Sequence, residues 1–180
     1  TVGNSTFKLD DPFFVLATQN PIEQEGTYPL PEAQADRFLL KIRVGYPNPD
    51  EELEIVNKYT GEGGPAKVKV MLTKKHIIAL QEMTKKVPIA SDVKKKVVNL
   101  IQKTRQKTDL IQYGASPRAS IGLVMAAKAR AMMEGRNHVS SEDISTMALP
   151  VLRHRIILNF EAERKGMTTD DAVLELLKHK

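Results

Sequence analysis

The stretches FFVLATQNP (residues 13–21) and ADRFLLKIRV (residues 35–44) decide the fold. The first begins with an unbroken apolar run and then turns polar, which predicts a buried parallel strand over 13–18. The second predicts another strand over 38–44, because apolar side chains alternate there with basic ones. In open α/β sheets, ligands bind where the strands end. The polar residues up to Asn20 therefore fall where a binding site is expected.

The chain divides into three predicted regions. Residues 1–46 are expected to be extended, with a hairpin over 1–9, residues 47–66 to form a connecting helix and a linker, and residues 67–180 to form a compact helical domain. Capping side chains, proline in the first turn and apolar stripes at helical spacing predict the helices. These begin near Asn48, Thr73, Ser91, Pro117, Ser140 and Thr169, and Pro150 is expected to break or kink the fifth.

Three motifs, in order, resemble the MoxR family of AAA+ ATPases. FFVLATQNP resembles the sensor 1 segment, ADRF resembles the arginine-finger segment, and GASPRAS (residues 114–120) resembles sensor 2. The resemblance covers nearly the whole chain. It implies an α/β fold class: the terminal strands of a P-loop nucleotide-binding core, followed by an all-helical lid over 67–180. Ala35 replaces the leucine expected in this family and leaves the charged pair after it intact.

The sequence lacks two parts that a P-loop ATPase needs. These are a glycine-rich loop ending in Lys-Ser/Thr and an apolar strand ending in acids that hold Mg²⁺. The nearest candidate for the loop, residues 61–68, has Ala66 in place of the last glycine and Val68 in place of the hydroxyl. The resemblance therefore implies ATP and Mg²⁺ as cofactors, with the Mg²⁺ ligands outside this sequence. We expect the chain by itself to be inactive.

By resemblance, Asn20 is the sensor 1 residue. A neutral amide can orient the water that attacks the γ-phosphate without acting as an acid. The alternative is that Asn20 and Pro21 simply begin a turn, which is what an Asn-Pro pair commonly does.

Arg37 is the candidate arginine finger, acting on a neighbouring subunit's nucleotide. A planar guanidinium can stabilise charge on the transferred phosphoryl group, and such fingers contribute roughly 10³- to 10⁵-fold in rate. Asp36 is expected to orient Arg37 or to pair across the same interface. The alternative is an ordinary Asp–Arg surface pair.

Arg118 is the candidate sensor 2 residue, expected to bind nucleotide. Ser116 and Pro117 predict a helix start directly before it. A cation there is disfavoured by the helix dipole, so its presence makes sense if an anion such as phosphate lies nearby. The alternative is a solvent-exposed arginine tolerated at small cost.

Composition indicates an ordinary globular protein without a metal site. Apolar residues make up 41% and charged residues 27% of the chain. The net charge of +5 fits lysine-rich helix surfaces better than nucleic-acid binding, because aromatic residues are only 5%. The chain has no cysteine, and its four histidines lack metal-ligand spacing, so they are expected at the surface or in packing. No apolar run approaches the about 18 residues of a membrane span.

The resemblance implies a cytoplasmic ATPase that forms a ring, expected to be a homohexamer. ATP would lie between subunits, with Asn20 and Arg118 on a protomer's own nucleotide and Arg37 on its neighbour's. Hydrolysis would drive chaperone-like remodelling or maturation of client proteins, possible clients being proteins with von Willebrand factor A domains. The alternative function is a non-enzymatic helical module that binds protein or nucleic acid.

Overall fold

The computed structural model describes residues 3, 5–19, 30–61, 68–107 and 109–178, and these residues are mostly helical. The elements in them are α1 (Glu32–Ala35), α2 (Pro49–Thr60), α3 (Lys74–Lys86), α4 (Ser91–Gln106), β1 (Ile111–Tyr113), α5 (Pro117–Met133), α6 (Ser141–Leu152), β2 (Ile157–Leu158), α7 (Phe160–Arg164) and α8 (Thr169–Lys178).

The predicted helix starts are confirmed, and most carry side chains that cap the first turn. Asn48 accepts a hydrogen bond from the Glu51 amide, and the Glu51 carboxylate accepts one from the Asn48 amide, both at 2.9 Å. Thr73 and His76 form the same reciprocal pair at the start of α3. Such pairs satisfy amides that a helix leaves without an internal partner. Pro150 lies in the last turn of α6, which continues past it without a break.

The core lies among the C-terminal helices. In the part of the chain that the structure describes, every buried apolar side chain falls between Val87 and Leu176. Helix α5 packs against α4 and α6, and its fully buried Ala119 and Ala127 allow close approach. Helix α8 packs against α4 and α6. No helix in the described ranges is both long enough and apolar enough to cross a bilayer.

A small antiparallel sheet, which the sequence analysis did not predict, links the segment before α5 to the segment after α6. Ile111 of β1 lies opposite Leu158 of β2, and both side chains are buried in the core. The strands are three and two residues long. Such lengths are too short to show the alternation by which strands are recognised in a sequence.

Neither strand predicted in the first region is present. Residues 13–18 are without regular structure, and Phe14 and Leu16 are 81% and 83% exposed. Residues 38–44 likewise form no strand, and neither do residues 6–9 of the predicted hairpin, the rest of which lies partly outside the described residues. A buried parallel strand needs neighbouring strands to bond its backbone, and the described residues place none beside these segments.

Residues 36–43, which we call the strap, instead run across the helical domain. The Lys41 amide donates a hydrogen bond to the Pro150 carbonyl at the end of α6 (2.8 Å). Leu40 packs against the core, and the far end of the strap forms an ion pair with α8. The strap therefore carries Asp36 and the residue after it to the surface of the helical domain.

Candidate functional site

Two of the three predicted site residues can be placed. Asn20 lies outside the described residues. Arg37 follows α1 and is exposed, and no hydrogen bond or ion pair of its guanidinium is present within the described ranges. Arg118 lies in the first turn of α5, with its side chain 59% exposed. Both arginines are thus accessible at the surface of this chain.

The start of α5 fixes the position of Arg118. Ser116 is the N-cap, and its hydroxyl accepts a hydrogen bond from the Arg118 amide (3.2 Å). Pro117 occupies the first helical position, where its missing N–H costs nothing. The predicted local structure is therefore confirmed, and the cation does lie at the positive end of the helix dipole.

The anion beside this helix start is Asp36. The Ser116 hydroxyl donates to the Asp36 carboxylate, whose two oxygens lie 3.0 and 2.9 Å away. Arg118 approaches the same carboxylate at 3.5 Å. Asp36 thus offsets the positive charge at the start of α5. Because the Arg118 contact is long and its side chain mostly exposed, its guanidinium keeps N–H groups that can bind a second anion.

Arg155 anchors the strap from beneath. Its side chain is only 3% exposed and forms an ion pair with the Asp36 carboxylate (3.2 Å). It also donates to the backbone carbonyls of Asp36 (3.2 Å), Phe38 (2.6 Å) and Val151 (3.0 Å). Burial lowers the pKa of Arg155, and the charge of Asp36 acts against that shift. The group stays charged, because an arginine pKa starts far above neutrality.

The two residues before Arg155 hold the strap as well. Arg153 donates to the Lys41 carbonyl (3.1 Å) and to the Asp170 carboxylate (3.0 Å). His154 Nε2 lies 2.9 Å from the Phe38 carbonyl, which can only accept, so Nε2 carries the hydrogen. Burial lowers the pKa of His154, which keeps the ring neutral at pH 7. This anchoring role was not predicted from the sequence, where three basic residues in succession were its only signal.

The loop before α5 is held against the end of α4. The buried hydroxyl of Thr104 accepts a hydrogen bond from the Ala115 amide (3.0 Å) and donates one to the Ile101 carbonyl (2.6 Å). Arg105 donates to the Ala115 carbonyl (2.8 Å). Buried backbone groups that are satisfied in this way resist displacement. The position of Arg118 therefore depends on α4 as well as on its own helix.

A cavity of about 220 Å³ opens between the strap and the helical domain. Asp36, Ser116 and Arg155 line it together with His154, whose Nδ1 is buried without a hydrogen-bond partner. An imidazole nitrogen that lacks a hydrogen is an acceptor. The cavity can hold water, but Nδ1 itself is shielded from solvent.

The described residues do not fit Mg²⁺. Among them, no three His, Cys, Asp or Glu side chains come together in an arrangement that could hold a metal ion. Mg²⁺ takes oxygen ligands, chiefly carboxylates and water. Asp36, the carboxylate that contacts the start of α5, is already bonded to Ser116 and Arg155.

Two family models match the chain. The model described as "ATPase family associated with various cellular activities (AAA)" matches residues 1–40. The model of the AAA lid domain matches residues 102–176, which run from the end of α4 into α8. The core model thus precedes the lid model, in the order that the motifs predict.

Relatives and a solved structure match nearly the whole chain. It is 42% identical to the uncharacterised protein YeaC of Bacillus subtilis over 177 residues, which are 98% of this chain and 55% of that protein. It is also 42% identical to Chaperone MoxR1 of Mycobacterium tuberculosis over 170 residues, 90% of this chain and 45% of that protein. The crystal structure of a candidate ATPase from Cytophaga hutchinsonii superposes with a TM-score of 0.91 at 40% identity, covering 100% of this chain and 57% of that one.

The chain belongs to the MoxR family of AAA+ ATPases. The predicted fold class is confirmed with it: an AAA+ core segment followed by a helical lid, which also carries the small sheet of β1 and β2. This MoxR-family chain spans about half the length of the curated relatives it matches.

Proposed function

We propose that the full-length protein hydrolyses ATP and that this chain supplies two arginines, Arg37 and Arg118, that act on the triphosphate. The observation that carries the proposal is the contact of Asp36 with Ser116 and Arg118. Through it, the residue that precedes Arg37 is held against the helix start that presents Arg118. Both arginines are exposed, Arg37 directly after Asp36 in the chain and Arg118 in contact with it.

The chemistry of phosphoryl transfer suits this pair. Negative charge spreads over the equatorial oxygens in the transition state, and catalysis depends on positioning and on charges that offset it. A guanidinium presents several N–H donors in a plane and stays charged at neutral pH. Asn20 would complete the set by orienting the attacking water, which is proposed on sequence grounds alone.

The geometry also bears on which subunit's nucleotide each arginine serves. Because Asp36 links the two arginine positions, we infer that Arg37 and Arg118 of one protomer serve the same triphosphate, held by the neighbouring protomer of a ring. This differs from the expectation that Arg118 serves its own protomer's nucleotide. A homohexamer is the proposed ring.

The work done with the energy of hydrolysis is proposed to be chaperone-like remodelling of client proteins. One relative is named a chaperone, Chaperone MoxR1 of Mycobacterium tuberculosis. Proteins with von Willebrand factor A domains are the proposed client class. Recovery of such a protein with the ATP-loaded ring, and its release on hydrolysis, would support this assignment.

Steady-state ATP hydrolysis by the full-length protein tests the two arginines. Arg37→Ala is expected to lower kcat by about 10³-fold or more, since it removes a charge used in the transition state. It should leave nucleotide binding, followed with a fluorescent ATP analogue, nearly unchanged. Arg118→Ala should lower turnover too. Arg164→Ala, an exposed arginine on α7, is the matched control and should retain full activity. Unchanged turnover in Arg37→Ala would remove the proposed function of that residue.

Mixing subunits separates the two arrangements. Arg37→Ala subunits and Arg118→Ala subunits are combined in one ring at varied ratios. If both arginines serve the neighbour's nucleotide, every interface in such a ring lacks one arginine, and activity never exceeds that of the two single variants. If Arg118 serves its own protomer, some mixed interfaces carry both defects while others regain a complete site. The dependence of activity on the ratio therefore distinguishes the two cases.

A further inference from the structure

We propose that Asp36 is a positioning residue that fixes Arg37 relative to Arg118, so that both guanidinium groups meet the triphosphate in one arrangement. The inference deepens the proposed function and rests on it. Asp36 itself need not touch the nucleotide. Its role is exerted through the backbone that leads directly into Arg37.

The contacts of Asp36 hold both its side chain and its backbone in place. Its carboxylate accepts from Ser116 at 2.9 and 3.0 Å and pairs with the nearly buried Arg155 at 3.2 Å. Its backbone carbonyl accepts from Arg155 as well, at 3.2 Å. Both the side chain and the main chain of this residue are thus tied to the lid. Arg37, the next residue, has its amide bonded to the Gln34 carbonyl (3.2 Å), which closes the turn after α1.

The same contacts argue against Asp36 being a mere competitor of phosphate for Arg118. Its contact with Arg118 is its longest at 3.5 Å, and Arg118 is 59% exposed. Ser116 and Arg155 would keep Asp36 in place after Arg118 turned toward a phosphate. A rigid mount of this kind serves catalysis, because a displacement of about 1 Å at a reacting group can cost roughly 10²-fold in rate.

A double-mutant cycle in the full-length ATPase tests the link. Asp36→Asn keeps the shape of the side chain and removes its charge. In the natural sequence it is expected to lower kcat at least about 10-fold, with nucleotide affinity changed less than about threefold. In an Arg37→Lys background, where the planar guanidinium is already lost, the same substitution should lower kcat less than about twofold. Equal losses in both backgrounds would show that Asp36 does not act through Arg37, and would overturn the proposal.

A second variant tests whether a general loss of structure explains the result, since Asp36→Asn leaves Arg155 without its carboxylate partner. Ser116→Ala keeps the pair of Asp36 and Arg155 but removes the bond to α5, and it should show the same non-additivity with Arg37→Lys. Thr73→Ala is the matched control. It removes a comparable helix cap, on α3, that touches none of these groups, and should leave kcat unchanged.

The line width of a spin label measures how firmly Asp36 and Ser116 hold this segment, and the measurement does not require hydrolysis. The 180-residue chain contains no cysteine, so a single spin label can be attached to it at Gln34→Cys, in the exposed helix α1 before Arg37. Asp36→Asn and Ser116→Ala are expected to narrow the resonance lines of the label, whereas Thr73→Ala should not. Unaltered lines in both site variants would overturn the proposal. If the lines narrow but Arg37→Ala retains full turnover, the positioning role of Asp36 is supported and the finger role proposed for Arg37 is wrong.

Discussion

Gly114 occupies a position where a larger residue meets the backbone of α4. A Cβ built on it would lie 2.7 Å from both the carbonyl carbon and the carbonyl oxygen of Thr104, and 2.7 Å from Cγ of Arg105. Side-chain atoms can turn aside, but the Thr104 carbonyl is fixed in a helix. The glycine of the sensor 2 motif is therefore required for packing, two residues before the cap of α5.

Gly114→Ala should consequently destabilise the chain by about 2 kcal/mol, the usual scale of an overpacked site. Urea unfolding followed by circular dichroism measures the change. Gly45→Ala is the control, because a Cβ there meets nothing within 4 Å and the backbone is not in the left-handed region. An equally large loss in Gly45→Ala would contradict the clash at Thr104 as the cause, because replacing an unstrained glycine lowers the entropy of the unfolded chain and tends to stabilise the fold.

Asp143 is a second residue on which the lid depends. Its side chain is fully buried, and it accepts from Arg130, from Arg136 and from the amide and hydroxyl of Ser140. The bond with Arg136 is the main cause that holds the pKa of Asp143 well below its usual range. A carboxyl whose pKa is lowered by folding adds stability above its ordinary pKa, and this stability is lost as the pH falls toward the folded value.

Asp143→Asn should therefore cost about 2 kcal/mol at pH 7, less than a fully buried pair because both arginines reach solvent. The difference from the natural chain should stay constant between about pH 5 and 7 and shrink below about pH 4. Urea unfolding at each pH measures it, with exposed Asp92→Asn as control. A difference that grew as the pH fell would contradict the argument.

At the scale of elements, the sequence predicted the helices well because their signals are local. The cap and the residue that answers it lie three positions apart, as with Asn48 and Glu51. The strand predictions were wrong because the strands that would pair with these segments are not local in the sequence. An apolar run such as residues 13–18 is buried only if neighbouring strands lie on either side of it. Nothing within the run itself carries that information.

The strap shows the same limit at the candidate site. The position of Arg118 at a helix start was predicted because three successive residues carry the signal for that start. The partners of Asp36 were not predicted, since Ser116 and Arg155 lie 80 and 119 positions after it in the chain. Only the folded lid brings them together. A motif therefore identified which residues to consider, and the fold identified what holds them.

Arg155→Met should release the strap while leaving an apolar stem in the core. It removes the contacts of Arg155 to Asp36, Phe38 and Val151, so we expect faster amide exchange at Lys41, whose N–H is bonded to Pro150. Hydrogen–deuterium exchange measures it in the 180-residue chain. Arg164→Met, on the exposed face of α7, is the control. Unchanged protection at Lys41 would mean that Arg155 does not anchor the strap.

At the scale of the whole molecule, the proposed division places the lid at residues 67–180. The buried apolar side chains of the described residues begin at Val87, which lies within the proposed lid. The strap complicates this division. Leu40 packs against the lid core, and Arg43 pairs with Asp170 (3.2 Å), although both lie in the proposed core region. The lid thus includes, by contact, a segment that the chain order assigns elsewhere.

Comparing chains that begin at residues 31 and 68, both ending at 178, tests which boundary the energetics follow. The longer chain keeps the strap, its hydrogen bonds to Arg153 and Arg155, and the burial of Leu40. Helix α2 buries no residue, so the additional stability should come from the strap. We expect the shorter chain to fold but to unfold with about 1–3 kcal/mol less free energy, the worth of one partly buried leucine and a few net hydrogen bonds. Introducing Leu40→Ala and Arg155→Met into the longer chain should remove most of this difference. Equal stability of the two chains would show that the strap does not stabilise the lid and belongs with the nucleotide-binding core. The coupling of Arg37 to α5 would then lack its structural basis.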